Sequence, residues 1–194
     1  MRLKNLLAQK QAVIVKHWFG RVIETYPSET AKFLKSQKDP FANPVGRTIY
    51  QGLEAVFDQL VKGIDHKVLT SWLDPIIRIR AIQNFSPSQA VGFIFFLKKA
   101  IRTTLHKEIA KEQIGDELLS FETQIDELSL IAFNLYMQCR EKICELKANE
   151  MKNRTFKAFE RAGLVKQMPE DEPVPGPIIT GPIINFRKEA SNDT

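Results

Sequence analysis

Apolar residues recur along this chain in steps of three and four, the period of one face of a helix, and no two alternating stretches exist that could pair as strands. Leu3, Leu6, Leu7, Ile14, Trp18 and Val22 predict a first helix over residues 3–25, with Trp18 as a core anchor. Tyr26-Pro27 ends it, because the residue before a proline is pushed out of helical backbone. Ser28 caps a short second helix that offers Ala31, Phe33 and Leu34 for packing. Residues 38–46 hold Pro40, Pro44 and Gly46 and read as an irregular connection in which Phe41 plugs the core, or in which a rigid loop forms a recognition surface. Ile49, Leu53, Val56, Phe57 and Leu60 line a helix from about Val45 to Val61, which Gly63 stops. Asp65 then caps a short helix carrying Val68, Leu69 and Trp72, and Asp74-Pro75 opens another.

Ile76-Ile-Arg-Ile-Arg-Ala-Ile82 alternates like a strand, but a lone strand leaves its backbone groups without partners, so helix is expected. Arg80 lies one turn after Ile76 and is drawn toward the core. It either holds a carboxylate or helix-end carbonyls, or meets an anion or partner. Ser86 and Gln89 form the Ser-x-x-Gln pattern of a capping box, and Pro87 suits the first helical position. Val91, Phe93, Ile94, Phe95, Phe96 and Leu97 make the next turns apolar on nearly every side, which predicts burial. Leu97, Ile101, Leu105 and Ile109 continue as a stripe, so one central helix is expected over 86–112.

Gly115-Asp116 separates it from the last long helix. Leu118, Phe121, Ile125, Leu128, Ala132, Leu135, Cys139 and Leu146 keep a 3-4 spacing there. Lys147 to Arg161 is highly charged, with Met151, Phe156 and Phe159 as its large apolar residues, and Gly163 is the expected stop. The pairing of basic and acidic side chains along this extension suits a helix lying against another in water, either in a homodimer or with a partner. From Met168 onward, Pro169, Pro173, Pro175, Pro177 and Pro182 favour an extended, solvated tail. Gly-Pro-Ile-Ile occurs twice in it. Ile178, Ile179, Ile183, Ile184 and Phe186 either dock on a groove or sheet edge or belong to a disordered end. The expected organisation is an all-α helical bundle over residues 1–163 and a flexible proline-rich tail over 164–194.

Composition narrows the function without naming it. With 43% hydrophobic and 26% charged residues the 194-residue chain is globular in character. No apolar run reaches the roughly 20 residues that span a bilayer, and the N-terminus turns polar too early for a signal peptide, so a cytoplasmic protein is expected. Cys139 and Cys144 would lie about 140° apart on one helix and cannot bridge locally. His17, His66 and His106 stand apart from them, and neither a catalytic constellation nor a phosphate loop is present, so no enzyme, cofactor or metal is expected. The first 168 residues carry +8 of charge and the remainder −3. A basic nucleic-acid binder is therefore the alternative to a solvated lysine-rich surface, although no helix-turn-helix stands out.

Three stretches carry a resemblance. They are Trp18 with Ile23-Glu-Thr-Tyr26-Pro27, Asp39-Pro-Phe41-Ala-Asn43-Pro44-Val-Gly46, and Ile77-Arg78-Ile-Arg80 through Ser86-Pro87-Ser-Gln89 to Phe93. Over residues 3–160 the chain resembles the N-terminal domain of RsbRD, a co-antagonist of the RsbT kinase in the bacterial stressosome. The resemblance implies an all-helical sensory or regulatory domain that works through protein partners, with a long last helix that leads into an output domain in fused members. Related co-antagonists carry globin-like N-terminal domains without haem, so the resemblance admits a globin-like form of the helical bundle here. It also implies, for stand-alone versions, an accessory role beside a membrane complex linked to sulfite reduction in sulfate-reducing bacteria. A sensor pocket for a small apolar ligand under the Phe-rich start of the central helix is a variant of the same reading.

Overall fold

A computed structural model describes residues 2–36, 42–83, 85–112 and 114–164. The helices are α1 (Arg2–Ile23), α2 (Ser28–Ser36), α3 (Pro44–Lys62), α4 (His66–Ile82), α5 (Pro87–Gly92), α6 (Phe96–Thr104), α7 (His106–Glu112) and α8 (Gly115–Arg161), with one 3-10 turn at Phe93–Phe95. There is no strand among the described residues, as the hydrophobic period requires. Helix α3 packs on α1 and α4, and α6 packs on α1. Phe41 and the whole of 165–194, including Ile178, Ile179, Ile183, Ile184 and Phe186, lie outside the described residues.

Helix starts follow side-chain chemistry. Asn43 caps α3 by accepting from the Gly46 N–H at 2.9 Å, while its amide nitrogen donates to Leu34 O at 3.0 Å and ties α2 to α3. Pro44 takes the first helical position. Gly46 therefore lies inside the helix rather than in the loop, and a Cβ there would sit only 2.5–2.9 Å from the Asn43 side chain. Asp65 caps α4 by accepting from Lys67 and Val68 N–H, and Ser86 with Gln89 forms the reciprocal capping box of α5.

Three expectations need correction. Asp74-Pro75 does not open a helix: α4 runs straight through, with Pro75 in its interior. Leu69, Leu73, Ile76 and Ile77 all bury from that one helix. At about 1.5–3 kcal/mol for each such side chain, they outweigh the roughly 3 kcal/mol lost at an internal proline. Asp74 is left to accept from Arg78 Nε at 2.6 Å on the surface.

The central helix is not one rod. It tightens to a 3-10 turn at Phe93–Phe95 and breaks at Leu105, whose ψ is 16°. Phe93, Ile94, Leu97, Ile101 and Leu105 are buried as expected, but Phe95 points outward.

The 3-4 ladder of α8 fails at its far end. Leu118, Phe121, Ile125, Leu128 and Ala132 bury, but Tyr136 is the buried residue of the next turn, Leu135 is partly buried and Leu146 is exposed. A straight α-helix repeats every 3.6 residues, so a strict seven-residue ladder drifts off the core-facing line over several turns.

Candidate functional site

The fold brings the resemblance-bearing residues of α1, α4 and α5 together around one buried cation. Arg80, in the last turn of α4, is wholly inaccessible to solvent. Its Nη2 donates to Gln89 O at 2.9 Å and to Thr25 Oγ1 at 3.0 Å, and Thr25 Oγ1 in turn donates to Val22 O. The guanidinium carbon lies 4.2 Å from the ring centre of Phe85, 5.2 Å from Phe93 and 5.4 Å from Tyr26. Such faces attract a desolvated cation.

The backbone at this point is shaped to receive donors. In a regular α-helix Gln89 O would accept from the N–H of Phe93, but that N–H turns to Val91 O. The freed carbonyl is the one that Arg80 takes. One turn later the Trp18 indole donates to Phe93 O at 2.8 Å, where the chain is in its 3-10 turn. Two buried side chains thus hold carbonyls four residues apart on one face of the winding.

The cation is incompletely matched. Arg80 Nε and Nη1 and the Tyr26 hydroxyl make no hydrogen bond of good geometry, although Tyr26 and Arg80 lie close enough to interact, and the buried Gln83 Oε1 lacks a partner. No carboxylate pairs with Arg80 among the described residues. Burial pushes the Tyr26 phenol above its usual range, with Arg80 partly opposing, so Tyr26 is neutral near pH 7 and supplies no counter-charge. Burial also lowers the Arg80 pKa, again partly offset by Tyr26, yet guanidinium stays protonated. Beside the group lies a cavity of about 390 Å³, lined by Thr25, Tyr26, Pro27, Thr30, Gln83, Phe85 and Gln89.

A second feature is apolar. On α8, to one side of its core face, Leu119, Leu130, Phe133 and Met137 are exposed, Leu130 by 64% and Phe133 by 45%. Leu130 and Phe133 meet Pro87, Val91 and Phe95 along a groove of about 730 Å³ between α5 and α8. Lys98 closes one edge, with its Nζ 2.6 Å from Asp126 and 5.8 Å from the Phe95 ring centre. Glu122, buried on α8, accepts both Arg102 Nε (2.6 Å) and Nη2 (2.8 Å), which anchors α8 to α6. Tyr136 and Arg140 donate from α8 to the carbonyls of Phe85 and Ala81.

Among the described residues, those up to Asn149 belong to one compact unit and those from Glu150 to Leu164 to a second. In the latter, Met151, Phe156 and Phe159 are each exposed by half or more. Leu164 N–H bonds to Phe159 O and Gly163 N–H to Glu160 O around Gly163 at φ 67°, the Schellman stop that the glycine predicted.

Residues 12–151 match the family described as the RsbT co-antagonist protein rsbRD N-terminal domain. The chain belongs to this RsbRD N-terminal domain family. An uncharacterised protein of Archaeoglobus fulgidus is 26% identical over 142 residues, covering 71% of this chain and 82% of that protein. No solved structure matches.

Among the residues singled out in this RsbRD-type domain, Trp18, Tyr26, Arg80 and Gln89 converge on the cation node, with Pro27 at the cavity. Asn43, Pro44 and Gly46 build the α3 cap, and Ser86 and Pro87 the α5 cap. Arg78 points to the surface and pairs with Asp74. The outward stripe of α8 escaped sequence reading, although Leu130, Phe133 and Met137 also keep a 3-4 step. Free Cys139 and Cys144 remain on α8. No cluster of three or more metal-binding side chains exists among the described residues, and no helix there is long and apolar enough to cross a membrane.

Proposed function

We propose that this domain is a regulatory module that receives a helix of a protein partner on the outward stripe of α8, with Met151, Phe156 and Phe159 extending the contact and the Ile-rich tail adding to it. The observation that carries this reading is the exposed Leu130, Phe133 and Met137, set in 3-4 steps beside the groove that Leu130 and Phe133 form with Pro87, Val91 and Phe95. An apolar surface of this kind is costly in water unless something covers it, and the 3-4 step is the spacing that a second helix reads. The family supports regulation as the role. Its description names RsbT, so a kinase of that kind is one partner to test, and subunits of a sulfite-reduction membrane complex are another.

The test compares wild type with Leu130→Gln/Phe133→Gln, in purification with each candidate partner and in sedimentation. The double variant should keep its helical circular dichroism and lose the partner. If the wild-type chain is monomeric and captures neither candidate, or if the variant captures as well as wild type, the α8 surface is not the interface. A wild-type dimer that the substitutions dissociate would make the occupant a second copy instead.

A further inference from the structure

We infer that the groove between α1 and α6 is a binding site for a small phosphate monoester, with Lys16, Arg21 and Lys99 as its recognition groups. The partner reading concerns α8 and does not enter this inference, which stands on α1 and α6.

Helical period builds the groove. Lys16 and Gly20 are four residues apart on α1, His17 and Arg21 likewise, and Glu24 follows at the helix end, so they share one side. Together with Lys99 and Thr103 of α6 they line an open groove of about 370 Å³, within the range of small-molecule sites. The two helices are tied to each other here. His17 Nδ1 lies 3.2 Å from Thr104 Oγ1, and the Trp18 indole donates to Phe93 O just before α6 begins. A second hollow of about 240 Å³ shares Arg21, Glu24 and Lys99 and extends to the half-buried Phe96.

The charge chooses the class. On α6, Lys98 and Arg102 are each neutralised by a carboxylate of α8, Asp126 and Glu122. Lys99 stands between them in sequence and pairs with no carboxylate among the described residues, and neither does Lys16. Arg21 lies 3.7 Å from Glu24, which Lys35 of α2 also holds at 3.3 Å. Leaving His17 aside, the groove's three cations against its one carboxylate leave two positive charges. A cleft lined by charge of one sign concentrates the opposite ion. A phosphate monoester brings about −1.5 to −2 of charge and three acceptor oxygens, which Lys16, Arg21, Lys99 and the Thr103 hydroxyl match. Phe96 in the adjoining hollow offers an aromatic surface to the organic part.

Gly20 keeps the floor open. Glycine is unfavourable inside a helix, and here neither backbone nor packing requires it: its φ is not positive, and a Cβ would meet nothing within 4 Å. A side chain at this position would enter the groove.

The experiment titrates the full chain by calorimetry at low salt and about pH 8, where a monoester with a second pKa near 6 is a dianion. Phenyl phosphate should bind saturably, and about tenfold or more tightly than benzoate or inorganic phosphate. Lys16→Gln/Lys99→Gln should weaken it by about tenfold or more, whereas Lys67→Gln, which removes a charge from α4, should bind as wild type does. Gly20→Leu keeps every charge and favours the helix, yet should also weaken binding by about tenfold or more. Leu130→Gln/Phe133→Gln should leave the affinity unchanged. Absence of saturable phenyl phosphate binding, benzoate or inorganic phosphate bound as tightly, or wild-type affinity in Gly20→Leu or in the double lysine variant would each overturn the inference. Duplex DNA or phosphatidate-containing vesicles bound in preference to phenyl phosphate would make this face a polyanion contact and overturn it too.

Discussion

Arg80 and Phe133 both depart from the rule that sorts side chains by polarity, in opposite directions. The arginine is sealed between α5 and the Thr25-Tyr26 segment that follows α1, while the phenylalanine is nearly half exposed on α8. Around Arg80 the fold has spent backbone regularity: the helix tightens, Gln89 O and Phe93 O turn to side-chain donors, and three aromatic rings close on the cation. Around Phe133 nothing is adjusted, and α8 continues as an ordinary helix. A buried charge can persist only if its surroundings are built for it, whereas an exposed apolar stripe needs no support from its own chain. The first arrangement is therefore costly to alter and the second is cheap. That difference separates what holds the domain together from what it offers to others.

The comparison breaks most visibly at Phe93, which is buried against Trp18 and Arg80. Phe93→Ala should cost about 3–5 kcal/mol in urea unfolding, the range for an emptied core aromatic site. Next, Arg80→Ala should cost about 3 kcal/mol, from the lost volume and the abandoned Gln89 carbonyl, and Arg80→Met less than half of that, because a buried charge is often replaced by an apolar side chain of similar size at little loss. An Arg80→Met protein as destabilised as Arg80→Ala would mean that the cation itself, not the packed volume, holds the node together.

Ser86→Ala should cost about 1 kcal/mol, through loss of the α5 cap. Tyr26→Phe should change stability at pH 7 by less than about 0.5 kcal/mol, since the hydroxyl makes no hydrogen bond of good geometry and interacts only weakly with Arg80. Its effect should appear in alkali. The folded-state pKa of Tyr26 is raised, so above pH 10 the unfolded chain releases this proton first, and stability drains away as pH climbs toward the native value. Unfolding curves taken from pH 9 upward should be flatter for Tyr26→Phe than for wild type. Smallest of all, Phe133→Gln should move the urea midpoint by no more than about 0.5 kcal/mol equivalent. A loss there as large as that of Phe93→Ala would show that the outward stripe is part of the core.

Much of the node was legible residue by residue and illegible as a node. The capping box at Ser86 and Gln89, the Asn43-Pro44 start and the glycine stops are local chemistry within four or five residues, so the pattern reveals them directly. The inward pull on Arg80 was visible in its position one turn after Ile76. Its partners were not, because Thr25 lies 55 residues away and the Trp18 to Phe93 bond spans 75. The Arg102–Glu122 pair is hidden for the same reason. Pro75 misled because a local rule met a larger burial term, and Phe95 because an all-round apolar run does not say which side faces water.

By itself, then, the sequence determined an all-helical chain, the start and stop of most of its helices, and the family to which it belongs, since periodicity, capping and motif spacing are properties of neighbours along the backbone. Tertiary structure alone decided where the central helix breaks, which of α8's two apolar lines is buried, and that Arg80 lies sealed beside a cavity. Those outcomes depend on which distant surfaces meet and how much area each meeting buries, and free energies of that kind exist only once the chain has closed on itself.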